Sequence, residues 1–282
     1  MTNEKGQDIV NFMVKATYEI AYLKEEEKYV PKPVEEQHAI RNEVEYYNKP
    51  GASLIKYDIE ISLPKPQTDV ILIGNARGPS ESGNSTLVSI DVSIDAGDNK
   101  HKVDKKSTIL EGQCIAEKFG FVLPTPPGKN SKPVTEGELR SIKAGTFKPH
   151  TWDPEKPHIL PSDFNSGYFN AAQSALIVPG YFSGGEKVEI INVSPHSKIE
   201  FYLPKVSFKS VLKYKNKDRY QSDLPENRKE TYLNLDTVII DIDINKMLLY
   251  LIWRGGIPIQ EKIQDILWSK TEEKKQNADN DK

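Results

Sequence analysis

The chain has 282 residues, 38 basic against 41 acidic, and its net charge of −3 with a pI near 6.0 argues against a dedicated nucleic-acid binder. With 37% hydrophobic and 28% charged residues it reads as a globular chain, neither wholly disordered nor membrane-embedded. One cysteine, Cys114, excludes an intramolecular disulfide framework and suits a reducing compartment.

The polar start lacks the apolar core of a secretory signal, and the longest apolar run, Met247 to Trp253, is too short to span a bilayer. The expectation is a cytoplasmic protein. The dominant periodicity is two, the signature of strands with one face buried. Val10, Phe12, Val14, Ala16, Tyr18 and Ile20 alternate with Asn11, Met13, Lys15, Thr17 and Glu19. Ile55, Tyr57, Ile59, Ile61 and Leu63 alternate with Lys56, Asp58, Glu60 and Ser62. Thr68 to Gly74 is apolar more continuously, as in a strand inside a sheet. Val88, Ile90, Val92 and Ile94 alternate with Ser89, Asp91, Ser93 and Asp95.

Eight of the 19 prolines lie in residues 120–161, and proline removes ladder donors, so a long ordered loop is expected there, with partial disorder as the alternative. Strand character resumes at Lys187 to Val193 and at Ile199, Phe201 and Leu203. The basic-leaning stretch Lys209 to Arg219 reads as a solvated loop. Asp236 to Trp253 reads as a hairpin turning at Asn245-Lys246, and its return strand, apolar on both faces, is internal or covered by a helix. Pro258 followed by Ile259, Ile263, Ile266 and Leu267 predicts a helix, and residues 269–282 a polar, disordered tail. The predicted fold is mainly β: one large antiparallel, sandwich-like domain over 8–268, with a Pro-rich central loop and one C-terminal helix.

Chemistry-bearing motifs are sparse. His38, His101, His150, His158 and His196 are scattered without zinc-ligand spacing, and Cys114 has no paired motif. Asp236, Asp241 and Asp243 lack a calcium-loop pattern; the last two fit the polar face of a strand. Gly74 to Pro79 and Ser183 to Glu186 read as turns, since neither matches a phosphate-cradling loop. No serine-hydrolase elbow occurs. The chain is therefore expected to be no enzyme and to need no metal or other cofactor.

Asp163 to Ala172, then Gly180 to Glu189, Leu203-Pro204 and the hairpin from Leu235 to Arg254 follow in an order that resembles the bacterial domain of unknown function 2169 family. Lys15 to Tyr18, Pro66 to Val70 and the Gly74 to Pro79 turn before Leu87 to Ile94 resemble it too. That family is often encoded beside type VI secretion components. The resemblance implies an adaptor or chaperone that binds a toxin effector and helps load it onto the secretion spike, the VgrG and PAAR-type tip. Its partners would be proteins, with no nucleic acid and no membrane. A structural or accessory secretion component and a small-ligand-binding β protein are the alternatives. Tyr168, Phe169, Asn170, Tyr181 and Phe182 gather aromatics in Gly-containing loops and are the candidate partner-binding residues. The competing reading makes Phe169 and Phe182 part of a loop that plugs the sheet.

Overall fold

The computed structural model describes residues 8–46, 55–76, 86–95, 102–112, 117–119, 166–170, 172, 176–191, 198–214, 228–242, 246–259 and 263–271. It is mainly β. In chain order the strands are β1 (Ile9–Leu23), β2 (Lys28–Pro33), β3 (Glu45–Tyr46), β4 (Ile55–Tyr57), β5 (Thr68–Ala76), β6 (Thr86–Asp95), β7 (Lys102–Gly112) and β8 (Glu117–Phe119). After a 3-10 turn at Ser166–Phe169 come β9 (Ile177–Val178), β10 (Lys187–Ile191), β11 (Lys198–Tyr202), β12 (Ser207–Tyr214), β13 (Arg228–Ile242), β14 (Met247–Pro258) and β15 (Ile263–Thr271).

The largest sheet runs β15-β12-β13-β14-β1-β2, with β5 branching from β13 and carrying β8 and β9. A second sheet runs β11-β10-β6-β7, and β3 pairs with β4. The strand alternation settles the packing. Phe12, Tyr18 and Ile20 of β1, Val238, Ile240 and Ile242 of β13, and Leu249, Leu251 and Trp253 of β14 project to one side. There they meet Val188 and Ile190 of β10 with Ile199 and Phe201 of β11 in one core. Two sheets face each other across it, as the sandwich-like pattern predicted.

Several expectations are corrected. The ladders are not all antiparallel: β5 joins β13 in parallel, Thr237 opposite Asp69 through Ile242 opposite Gly74. The reason lies in β13, whose first half pairs with β12 while its second half takes β5 on the same edge. The predicted C-terminal helix is instead β15 over residues 263–271, antiparallel to β12. The edge of β12 offers unpaired backbone groups, and short apolar runs rich in Ile and Trp satisfy a strand as readily as a helical spacing. Residues 269–271, placed in the tail by sequence, belong to that strand, while 272–282 lie outside the described residues.

Likewise Lys209 to Tyr214 is strand rather than loop, and Gly74 to Ala76 continue β5 rather than starting a turn. The β13–β14 hairpin pairs Ile242 with Met247, and Asn245 of the predicted Asn245-Lys246 turn lies outside the described residues. The Pro-rich stretch 120–161, Cys114, His101, His150, His158 and His196 lie outside the described residues.

Candidate functional site

The second face of the large sheet should be solvated on a simple reading of β1. It is covered. Asn11, Met13, Lys15 and Thr17 share that face with Thr237, Ile239 and Asp241, and with Leu248, Tyr250, Ile252 and Arg254. Residues 34–46 and 55–67 lie over it, with Val44, Tyr46 and Tyr57 packed against Ile71, Ile73, Ile239, Tyr250 and Ile252.

Polar residues fasten this cover. Glu60, expected on the polar side of a long strand from Ile55 to Leu63, is the main correction. The strand ends at Tyr57, and the Glu60 N–H donates to the Arg41 carbonyl (2.9 Å). Its carboxylate turns inward to accept from Lys15 Nζ (2.8 Å), Arg41 N–H (2.8 Å) and Arg41 Nη1 (2.6 Å). Ile59 and Ile61 consequently face solvent, 40% and 50% exposed, against 4% for Glu60. Past the end of β4 the period of two gives way to a spacing of three, with Tyr57, Glu60 and Leu63 buried, and the Glu60 carboxylate tolerates burial because two cations satisfy it. Gln37 adds a second clasp, accepting from the Thr17 N–H (2.7 Å) and donating to the Thr17 carbonyl (3.2 Å).

A deeper polar cluster sits at one end. A β-bulge between Leu235 and Thr237 leaves Asp236 as the extra residue, turned inward to pair with Arg254. Asp236 Oδ1 also accepts from Thr237 Oγ1 (2.9 Å), and Arg254 Nη2 donates to the Glu60 carbonyl. Lys65 donates its backbone N–H to Asp236 Oδ2 (3.2 Å) and its Nζ to Asp69 Oδ2 (2.6 Å). Asp236 is buried, and so is Asp241, on the covered face of β13; Asp243 lies outside the described residues.

Above Glu60 an open cleft of about 340 Å³ is lined by His38, Arg41, Glu45, Lys56, Tyr57, Asp241, Lys246, Leu248 and Tyr250. The Arg41 guanidinium lies 3.6 Å from the Tyr57 ring centre and 4.7 Å from that of Tyr250, a cation–π stack fixed by Glu60. The Tyr57 hydroxyl donates to Asp241, and Lys56 Nζ lies 3.7 Å from the same carboxylate. Burial first, then the Asp241 charge, pushes the Tyr57 phenol far above its usual range. His38 Nδ1 is 3.1 Å from the Tyr250 hydroxyl. Burial, followed by the charges of Lys15, Arg41 and Lys246, holds its imidazole below the ordinary 6.5. Lys15 is likewise lowered, by burial opposed by Glu60. Most of these charges face one another at short range, an arrangement suited to holding a surface rigid. Among the described residues, no group of three or more His, Cys, Asp or Glu is placed to hold a metal ion.

The sequence-predicted residues divide. Tyr168 belongs to the 3-10 turn, Phe169 is half-buried, and Asn170 is buried, donating to the Gln67 carbonyl (3.1 Å) and Asp69 Oδ1 (2.8 Å). Tyr181 is half-buried and donates its hydroxyl to the Lys65 carbonyl (2.6 Å). Phe182 is 3% exposed within the main core, the position that the plug reading expects of it. Asn170 and Tyr181 thus meet on the Lys65–Asp69 segment. Tyr181 and Phe182 also line a second cleft, of about 300 Å³, with Lys205, Val206, Leu233, Asn234 and Trp253. The turn beyond it is built for close approach. Gly184 has φ +89°, and a Cβ there would lie 2.6 Å from the Pro204 carbonyl oxygen. Glu186 Oε1 accepts from the N–H groups of Ser183 (2.7 Å) and Gly184 (3.2 Å).

Sequence reasoning missed Lys15, His38, Arg41, Glu60 and Arg254. Only Arg254, a cation directly after the apolar run Met247 to Trp253, carried a local signal.

No curated protein and no solved structure matches this chain. A family model described as an uncharacterized protein conserved in bacteria matches residues 5–104 and 135–254, most of the sequence, with the second block taking in β9 to β13 and β14 as far as Arg254. The chain belongs to that family, DUF2169.

Proposed function

We propose that this protein is an adaptor that binds a toxin effector and helps load it onto the spike of a type VI secretion machine. The observation that supports the reading is the family membership over residues 5–104 and 135–254, since the resemblance set out above implies that role. The geometry agrees in kind. A half-buried aromatic anchor, Tyr181, borders an open cleft on a frame fixed by buried polar contacts, the type of preorganised surface that binds a protein without chemistry.

Affinity purification from the native host, followed by mass spectrometry, tests it. The effector or spike protein encoded beside this gene should co-elute in stoichiometric amount. Elution of the protein with neither, under conditions in which the secretion genes are expressed, argues against the adaptor role.

A further inference from the structure

We propose that the cleft lined by His38, Arg41 and Lys246 is a socket for a carboxylate, carried by an acidic side chain of a polypeptide partner. Among the described residues its lining carries three cations, Arg41, Lys56 and Lys246, against two acids, Glu45 and Asp241. Both acids are engaged in the walls. Asp241 accepts from the Tyr57 hydroxyl and faces Lys56, while Glu45 Oε2 lies 3.9 Å from Arg41 Nε. Lys246 stands half-exposed at the mouth, and its ion-pair partner at 3.6 Å, Glu19, does not line the cleft.

The cations are in place before any ligand arrives. Arg41 is clamped by Glu60 and stacked on Tyr57, so little side-chain freedom is lost on binding. At His38, after burial, the charges of Lys15, Arg41 and Lys246 disfavour the imidazolium and Glu36 opposes them. Two carboxylates in the walls favour a monoanion over a phosphate dianion. Leu248 and the rings of Tyr57 and Tyr250 offer an apolar wall to the methylene or backbone behind the charge. The polypeptide source rests on the adaptor reading; the carboxylate chemistry does not.

The test uses the full chain, with the His38 ring resonance followed by NMR and assigned through His38→Gln. The probe is an N-acetylated, C-amidated tetrapeptide with a central pair of aspartates; the control has asparagines there. The aspartate peptide should shift His38 saturably and raise its pKa toward 6.5, because a bound anion stabilises the imidazolium. The asparagine peptide should do neither. Lys246→Glu, at an exposed position, should weaken binding about tenfold with an unchanged melting temperature. An unmoved His38, equal shifts from both peptides, equal affinity in Lys246→Glu, or tighter binding of inorganic phosphate each overturns the proposal. A peptide that binds while no effector or spike protein co-purifies from the host keeps the socket and removes the adaptor role.

Discussion

Asp236 and Arg254 form an ion pair with 1% of either side chain exposed, at the register shift where β13 bulges against β14. The bulge in β13 supplies the carboxylate and β14 supplies the guanidinium, and the two meet as a direct ion pair inside the protein. Removing one leaves a buried charge. Asp236→Ala should cost about 3–5 kcal/mol. The double variant Asp236→Leu with Arg254→Met should recover much of that, and urea unfolding of the three proteins measures the difference.

Glu60 should control the cover over the second face. Glu60→Ala leaves Lys15 and Arg41 without their shared acceptor and frees the segment they hold. Hydrogen exchange should accelerate across residues 37–46 and 55–63 and stay unchanged in β10 and β11. Uniform acceleration would mean that Glu60 supports the whole fold rather than the cover.

Ile240 and Ile61 make a contrasting pair. Ile240 is fully buried between the sheets, so Ile240→Asp should cost several kcal/mol. Ile61→Asp, at a half-exposed position, should stay within about 0.5 kcal/mol of the parent. Thermal melts of both variants measure this contrast, and a large loss in Ile61→Asp would contradict its exposure.

The pH dependence has a definite sign at His38. Its folded pKa lies below 6.5, through burial and then neighbouring cations, so the unfolded chain binds the proton more readily. The contribution of this group is complete above 6.5 and is lost as pH falls below it. Urea midpoints measured on both sides of that pH should differ less in His38→Gln than in the parent.

Tyr181 and Phe182 are neighbours with different work. Phe182→Ala removes a core ring and should cost about 3–5 kcal/mol, mimicking lost binding through unfolding. Tyr181→Ala removes a half-buried anchor at the cleft rim and should weaken cargo capture with a smaller loss of stability. Capture assays paired with melts separate the two.

How far the sequence could be read follows the range of each force. Period-two patterns in β1, β6, β10, β11 and β13 are local, so those strands were legible, as were the core-facing side chains of β1, β10, β11 and β13. The parallel placement of β5 beside β13 was not, because it depends on which edge remains free after β12 pairs. The C-terminal strand was misread as a helix because its few apolar residues fit either period. Glu60, Lys15 and Arg41 come from three separate stretches of chain, and their meeting is a tertiary event without a local motif. Of the aromatic loop, composition singled out Tyr181 and Phe182 together, and only the packed core separates the half-buried Tyr181 from the buried Phe182.

If the protein delivers one cargo to a secretion machine, as proposed, secretion itself measures this most directly. In a strain lacking this gene, the neighbouring effector should disappear from the culture medium while the tube protein of the machine is exported at the parental level. Specific binding of one cargo requires that selectivity. Normal secretion of every effector would contradict the account, and loss of tube export altogether would make the protein a structural part of the machine instead.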